Sequence, residues 1–392
     1  MKLNAGLHLA YCTNVNSRET WAETFESLKN YTEPVRQRVC PDQPFAIGLR
    51  LTNHAAHQLA DRATLLDFQR WLGRNQLYVF TLNGFAHGSV TPTQRKEQIY
   101  APDWSSPQRL AFTNLLFDLL SQLVPEGVEG SVSTLPGSYK GFPLHADHLK
   151  AIRTNLWHCV EHVARVSEQT GRKLHIGLEP EPLCLLESSG ETIQLFDRLH
   201  AEHPHDPRLG EHLGVNYDAC HFAVEFEEPR NALLCLSLRG IRISKVHLSS
   251  AIKLRPTTEA LQALAELADD GYLHQVVVRR ANDQRFIYPE ISAALAGEAT
   301  EGAVAEDSTA EWRIHFHIPL HSAPRPPFDC TPEHALGVLD LLEENPGLCS
   351  HIEMEGQTWN FLPDELRARN FPDQLAAEYE WLLPQLAERG LA

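Results

Sequence analysis

Acids and imidazoles stand at the ends of several short apolar runs: HIGLE (175–179), GVNYD (214–218), SKVHL (244–248), RIHFHI (313–318) and HIEME (351–355). In an extended strand successive side chains face opposite sides, so the apolar residues of each run fix where the polar ones point. With Ile176 and Leu178 facing out, Glu179 turns inward; with Val215 and Tyr217 facing out, Asp218 turns inward, and His221 follows on the loop. The same parity turns Lys245 with His247, His315 with His317, and Glu353 with Glu355 away from their apolar neighbours. Each residue alone reads most simply as a cap, an ion-pair partner or a core histidine. Together, carboxylates crowded at one mouth repel one another and resist desolvation unless a cation sits among them. Two Glu, one Asp and one His form an oxygen-rich set suited to one divalent metal: Mn²⁺, Mg²⁺, Co²⁺ or a less selective Zn²⁺ site. Such an ion holds adjacent oxygens of a polyol or hydroxy-ketone and polarises its carbonyl, while carboxylates act as acid and base on either side of the carbon.

Apolar runs alternate with amphipathic stretches nearly from end to end, beginning with GLHLAYCTN (6–14), FAIGLRL (45–51), LYVFTLNGF (77–85) and GSVSTLPG (130–137). That alternation predicts a parallel sheet covered by helices. Ser106-Pro107 and Thr331-Pro332 are expected to start two of those helices. The chain has neither GxGxxG nor GxxxxGK[ST], which argues against a doubly wound phosphate-binding sheet. The expected fold is therefore an α/β fold of the (β/α)8 TIM-barrel type, whose strands gather polar residues at their C-terminal ends. One more strand candidate is present than such a barrel holds. The surplus falls between ISKVHLSSA (243–251) and SHIEMEGQTW (350–359), where an expected hairpin (274–291) and an acidic, Ala/Gly/Glu-rich run (294–311) occur. This is read as an insertion of about 252–311 between the seventh and eighth strands, within a single barrel domain spanning 1–392 and ending in a helix near 372–389.

The 34 Lys and Arg against 51 Asp and Glu give a net charge of −17, which argues against nucleic acid or an anionic membrane as the main partner. No apolar run approaches the ~18–20 residues that span a bilayer. The start, MKLNAGLHLAYCTN, lacks the long apolar stretch and cleavage site of a secretory signal, so a cytoplasmic location is expected. The eight cysteines are scattered without a CxxC, the pattern of buried, reduced thiols. His200, His203, His205 and His212 lie among Pro, Asp and Gly and read as a solvated loop.

The late-strand motifs resemble the xylose-isomerase-like TIM barrels of the sugar phosphate isomerase/epimerase superfamily. There a Glu after the fifth strand, an Asp with a following His after the sixth, a His after the seventh and a Glu ending the eighth hold one divalent metal. A closer resemblance covers nearly the whole chain. HLAYCTNVNSRETW (8–21), TLNGFAHG (81–88), KEQIYAPDW (96–104), GSYKGF (137–142), LEPEPLCLLE (178–187), YDACHFAVEFE (217–227), KVHLSSA (245–251), HFHIPL (315–320) and EMEGQTWNFLP (353–363) are similar to the EboE family of metabolite traffic proteins. Members usually read KVQVSSA where this chain has KVHLSSA, and LEVETYTW where it has IEMEGQTW. The Gln usual at position 247 favours His317 as the imidazole ligand.

The resemblance implies a metal-dependent isomerase or epimerase of a cyclitol, sugar or sugar-phosphate-like polyol. On that reading Glu179, Asp218, His317 and Glu355 hold the metal, with His247 and Glu353 as alternates, and Glu179 and Glu355 double as proton acceptor and donor. His221, Lys140 and Lys245 are expected to meet substrate oxygens or a phosphate, while Tyr139 and Trp21 stack on or enclose the ring. The resemblance also implies service in a secondary-metabolite pathway, with transient contact to its membrane proteins. Two rivals use the same residues: dehydration of a keto-inositol or hydrolysis at the same site, and a non-catalytic metabolite carrier or scaffold.

Overall fold

The computed structural model describes residues 1–16, 18–88, 96–268, 273–300 and 309–392. Its strands are, in chain order, β1 (His8–Cys12), β2 (Phe45–Arg50), β3 (Leu77–Asn83), β4 (Gly130–Thr134), β5 (Leu174–Leu178), β6 (Leu213–Asp218) and β7 (Arg242–Leu248), then β8 (Ser250–Leu254), β9 (Val276–Arg279), β10 (Arg285–Tyr288), β11 (Glu311–Ile318), β12 (Asp329–Cys330) and β13 (His351–Met354). β1 to β7 and β13 pair in parallel and close a barrel in chain order. These strands are buried on both faces, the burial expected where helices cover one side and the barrel interior fills the other. The fold is thus the expected (β/α)8 barrel, with the insertion between its seventh and eighth strands.

Both helices expected from their start signals begin there, one of them without the cap bond. Ser106 accepts from Gln108 N and Pro107 opens the helix Pro107–Leu123. Thr331 precedes the helix Pro332–Glu344 but makes no cap bond; its Oγ1 accepts instead from Ala251 N at 3.0 Å. The last helix, Phe371–Glu388, is held to the first, Trp21–Val39, by Arg38, which bonds Glu380 at 2.7 Å and Asp373 at 3.1 Å.

The inserted strands form a second, antiparallel sheet in the order β10-β9-β11-β8-β12. β9 and β10 make the expected hairpin. The sheet extends past 252–311 on both sides, because the run 312–321 pairs with β8 and β9 instead of entering the barrel. β11 alternates half-buried and buried residues, its Trp312, Ile314, Phe316 and Ile318 facing a core shared with Val276, Val278 and Leu264. The acidic run begins as the helix Ile291–Thr300, and residues 301–308 lie outside those described.

Two smaller expectations change. Cys235 is exposed, while the other seven cysteines are buried as expected. Of the histidines at 200–212, His200 and His212 lie on helices and His203 and His205 on the turn between them; His203 is stacked on Trp157 and His212 Nδ1 is bonded to the Leu174 carbonyl at 2.7 Å.

Candidate metal centre

The C-terminal ends of β5, β6, β7 and β13 place Glu179, Asp218, His247 and Glu355 together, all buried, with ligand atoms within 4.8 Å of one another. Register explains the meeting: Asp218 and Glu353 are both Cα partners of His247, and Glu355 follows Glu353 by one two-residue step. His247 Nε2 is bonded to Glu353 Oε2 at 2.8 Å, which leaves Nδ1 facing the mouth. There it meets Glu179 Oε1 at 3.1 Å, Asp218 Oδ2 at 3.5 Å and, in close contact, Glu355 Oε2. One ring nitrogen can satisfy one acceptor. Asp218 Oδ2 and Glu355 Oε2 accordingly accept no hydrogen bond although both are buried. Burial opposes charging of His247, yet Glu355, Glu179 and Asp218 hold its pKa well above the usual imidazole value. Oxygen-rich donors, bare buried lone pairs and an imidazole oriented by a carboxylate behind it all fit a divalent cation.

The remaining oxygens are already engaged. Asp218 Oδ1 accepts from His221 N at 3.0 Å and so caps the helix Ala219–Val224. Glu355 Oε1 accepts from Asn14 Nδ2 at 2.5 Å and Gln357 Nε2 at 3.0 Å. Asp218 and Glu355 are thereby each fixed by one oxygen and open at the other.

Beneath this tier lies a closed network. Lys245 Nζ, fully buried, donates to Glu353 Oε2 at 2.7 Å, Asn83 Oδ1 at 2.6 Å and Ser133 Oγ at 3.1 Å. All three ammonium hydrogens are used, so Lys245 supports the barrel interior and is not available to a substrate phosphate. Glu353 also accepts from Asn83 Nδ2 at 2.8 Å. Burial would raise its pKa, but Lys245 and His247 bring it down to about 2. Glu353 therefore orients His247 from behind and lies outside the four-residue set.

Other expected residues are placed as follows. His317 belongs to β11 of the insertion, not to a barrel strand; its Nδ1 is 2.9 Å from Ser249 Oγ and 4.0 Å from Asp218 Oδ2. His221 is buried, with Nδ1–H directed to the Pro180 carbonyl at 2.8 Å. Lys140 is bound by Glu187 and, at 2.8 Å, by Glu191. Tyr139 stacks on Tyr100 with ring centroids 4.8 Å apart. Trp21 is packed against Phe25 of its own helix and Phe68 of the helix Arg62–Arg74 and is 6 % exposed, so it braces one helix against another instead of enclosing a ligand. Of the residues matched by motif alone, Lys96 pairs with Glu290 at 3.0 Å and Trp104 is buried, its Nε1 bonded to the Leu135 carbonyl. Sequence reasoning passed over Asn14, Asn83, Ser133 and Glu181. The signal for Glu181 is its position two residues past Glu179 in LEPEP; Asn83 and Ser133 are uncharged residues of β3 and β4, and Asn14 lies on the 3-10 turn that follows β1.

No family model matches the chain, and no curated protein matches it. Among solved structures it is similar to a xylose isomerase-like TIM barrel protein from Mycobacterium smegmatis in complex with magnesium, at 11 % identity and a TM-score of 0.54, covering 98 % of this chain and 97 % of that one. It is also similar to a D-allulose 3-epimerase from Methylomonas sp., at 12 % identity and a TM-score of 0.52, covering 98 % and 99 %. A third, an L-ribulose 3-epimerase, matches at 10 % identity and a TM-score of 0.50, covering 99 % and 96 %. None of the described helices is long and apolar enough to cross a membrane. At such low identity the likeness is one of architecture: the chain has the xylose-isomerase-like (β/α)8 fold.

Proposed function

We propose that this protein is a metal-dependent isomerase or epimerase acting on a cyclitol, sugar or sugar-phosphate-like polyol. The observation that carries the reading is the convergence of Glu179, Asp218 and Glu355 on His247 Nδ1, with bare buried oxygens at a barrel mouth. These four residues would hold one divalent ion, Mn²⁺, Mg²⁺, Co²⁺ or Zn²⁺. When bound, the ion supplies polarisation of a carbonyl beside a hydroxyl, which acidifies the intervening C–H. Glu179 and Glu355 rise from strands on either side of β6 and β7. Glu179 takes the proton from that carbon, and Glu355 returns one from the opposite face to complete an epimerisation. Asn14 and Gln357 fix Glu355 for this transfer. Glu353, anchored by Lys245, holds His247 in the tautomer that leaves Nδ1 for the ion.

The proposal extends to membership of the EboE family, with service in a secondary-metabolite pathway and transient contact with its membrane proteins. His247, where that family usually has Gln, marks this chain's departure from it. Metal content by mass spectrometry on the purified protein and on Glu179→Gln tests the site; about one ion lost in the variant is expected. Solvent deuterium exchange into a panel of ketoses and inososes tests proton transfer. No exchange with any of them, in metal-loaded protein, would overturn the enzyme reading.

A further inference from the structure

Beside the oxygen-rich set stands a second cluster of different chemistry. His221 comes from the barrel and His315 and His317 from β11, on the half-buried face of the inserted sheet. Their Nε2 atoms converge: His221 to His317 is 3.2 Å and His315 to His317 is 3.1 Å. Glu181 Oε2 lies 3.2 Å from His221 Nε2. The rings do not stack, their planes being 65° to 88° apart, so they meet at their nitrogen edges.

A hydrogen-bond network does not account for this meeting. His221 Nδ1–H faces a carbonyl, which only accepts, so Nε2 alone faces both Glu181 Oε2 and His317 Nε2, and a single hydrogen or lone pair there serves one of them. His317 Nδ1 is held by Ser249 Oγ. His317 Nε2 has two imidazole nitrogens at bonding distance, and a single hydrogen there satisfies one of them. A tetrahedral ion with metal–nitrogen bonds of ~2.0–2.1 Å separates its ligands by about 3.3 Å, close to the three spacings found here. Three nitrogens and one oxygen suit zinc-class chemistry, in contrast to the carboxylate set beside them.

We infer that His221, His315, His317 and Glu181 form a second divalent-cation site of zinc type, assembled where the insertion docks on the barrel. Asp218 stands between the two sites, its Oδ1 4.0 Å from His221 Nε2 and its Oδ2 4.0 Å from His317 Nδ1. The docking that creates the site is fixed by Arg313, which donates to the Ala223 carbonyl at 2.7 Å, and by Cys220, whose thiol faces the Phe316 carbonyl at 3.4 Å.

Metal-free full-length protein loaded with Co²⁺ tests this. Wild type is expected to bind two equivalents and to show the intense visible bands of four-coordinate cobalt. His315→Asn should lose those bands and one equivalent, whereas Glu355→Gln should lose one equivalent and keep the bands. Glu181→Gln, which spares the imidazoles, should weaken the banded site by about tenfold or more and carries the test if His315→Asn does not fold. Absence of the bands from wild type, or their persistence unchanged in His315→Asn or Glu181→Gln, would overturn the second site while leaving the first untouched.

Discussion

The barrel interior carries two polar tiers built from the same kinds of residue. In the lower one Lys245, Glu353, Asn83 and Ser133 satisfy one another almost completely. In the upper one Glu179, Asp218 and Glu355 share a single imidazole nitrogen and leave oxygens unpaired. The difference separates what buried charge does for a fold from what it does for a site. A closed ionic network pins strands to one another, whereas an open one stores attraction for a cation.

Breaking the lower tier should produce the largest change in stability. Lys245→Met leaves Glu353 buried without its counter-ion and is expected to cost about 3–5 kcal/mol in chemical denaturation. Gly48→Ala attacks the same tier sterically, since a Cβ on Gly48 would stand 1.5 Å from Glu353 Oε1 and 2.9 Å from the Tyr11 carbonyl oxygen. A loss of about 1–3 kcal/mol is expected, and a loss near zero would show that Glu353 is free to move aside.

Acid–base behaviour distinguishes paired from unpaired acids in the same way. Glu353, with its pKa lowered to about 2, adds stability that is complete above the unfolded value near ~4.3 and is lost as pH falls toward 2. Glu378, on the last helix, has no ion-pair partner among the described residues, and burial raises its pKa to about 8. The folded chain then keeps a proton that the unfolded chain releases, so stability falls as pH rises from about 4.3 to about 8, at up to ~1.4 kcal/mol per unit. Glu378→Gln should flatten that slope in denaturation at about pH 5 and about pH 8; equal slopes for the two proteins would rule Glu378 out. The smallest stability change is expected from the upper tier. Glu179→Gln in chelator should unfold within about 1 kcal/mol of wild type, since it relieves repulsion among carboxylates, yet lose metal-dependent deuterium exchange.

Strand parity made most of the upper tier legible, because Glu179, Asp218 and Glu355 each follow apolar residues of fixed direction. Depth was not legible. Parity turns Lys245 and His247 inward alike, and only cross-strand register separates a supporting lysine from a mouth imidazole. The assignment of β11 failed for a related reason: a period of two does not name the partner strand. The regular His–apolar alternation of RIHFHI is nevertheless the mark of a sheet buried on one face, unlike the doubly buried barrel strands. Trp21 was misplaced because its type suggests a ligand platform while its neighbours Phe25 and Phe68 decide that it packs.

The junction of barrel and insertion has an evolutionary consequence. Ser249 alone separates β7 from β8, and the path returns to the barrel at Thr331. There Thr331 N donates to the Ala251 carbonyl at 3.1 Å and Ala251 N to Thr331 Oγ1 at 3.0 Å, joining positions 80 residues apart. The inserted segment therefore leaves and re-enters at one stapled point, as an exchangeable cassette. A lineage could replace it, and with it two of the three clustered imidazoles, without resetting the register of the barrel that carries the carboxylates.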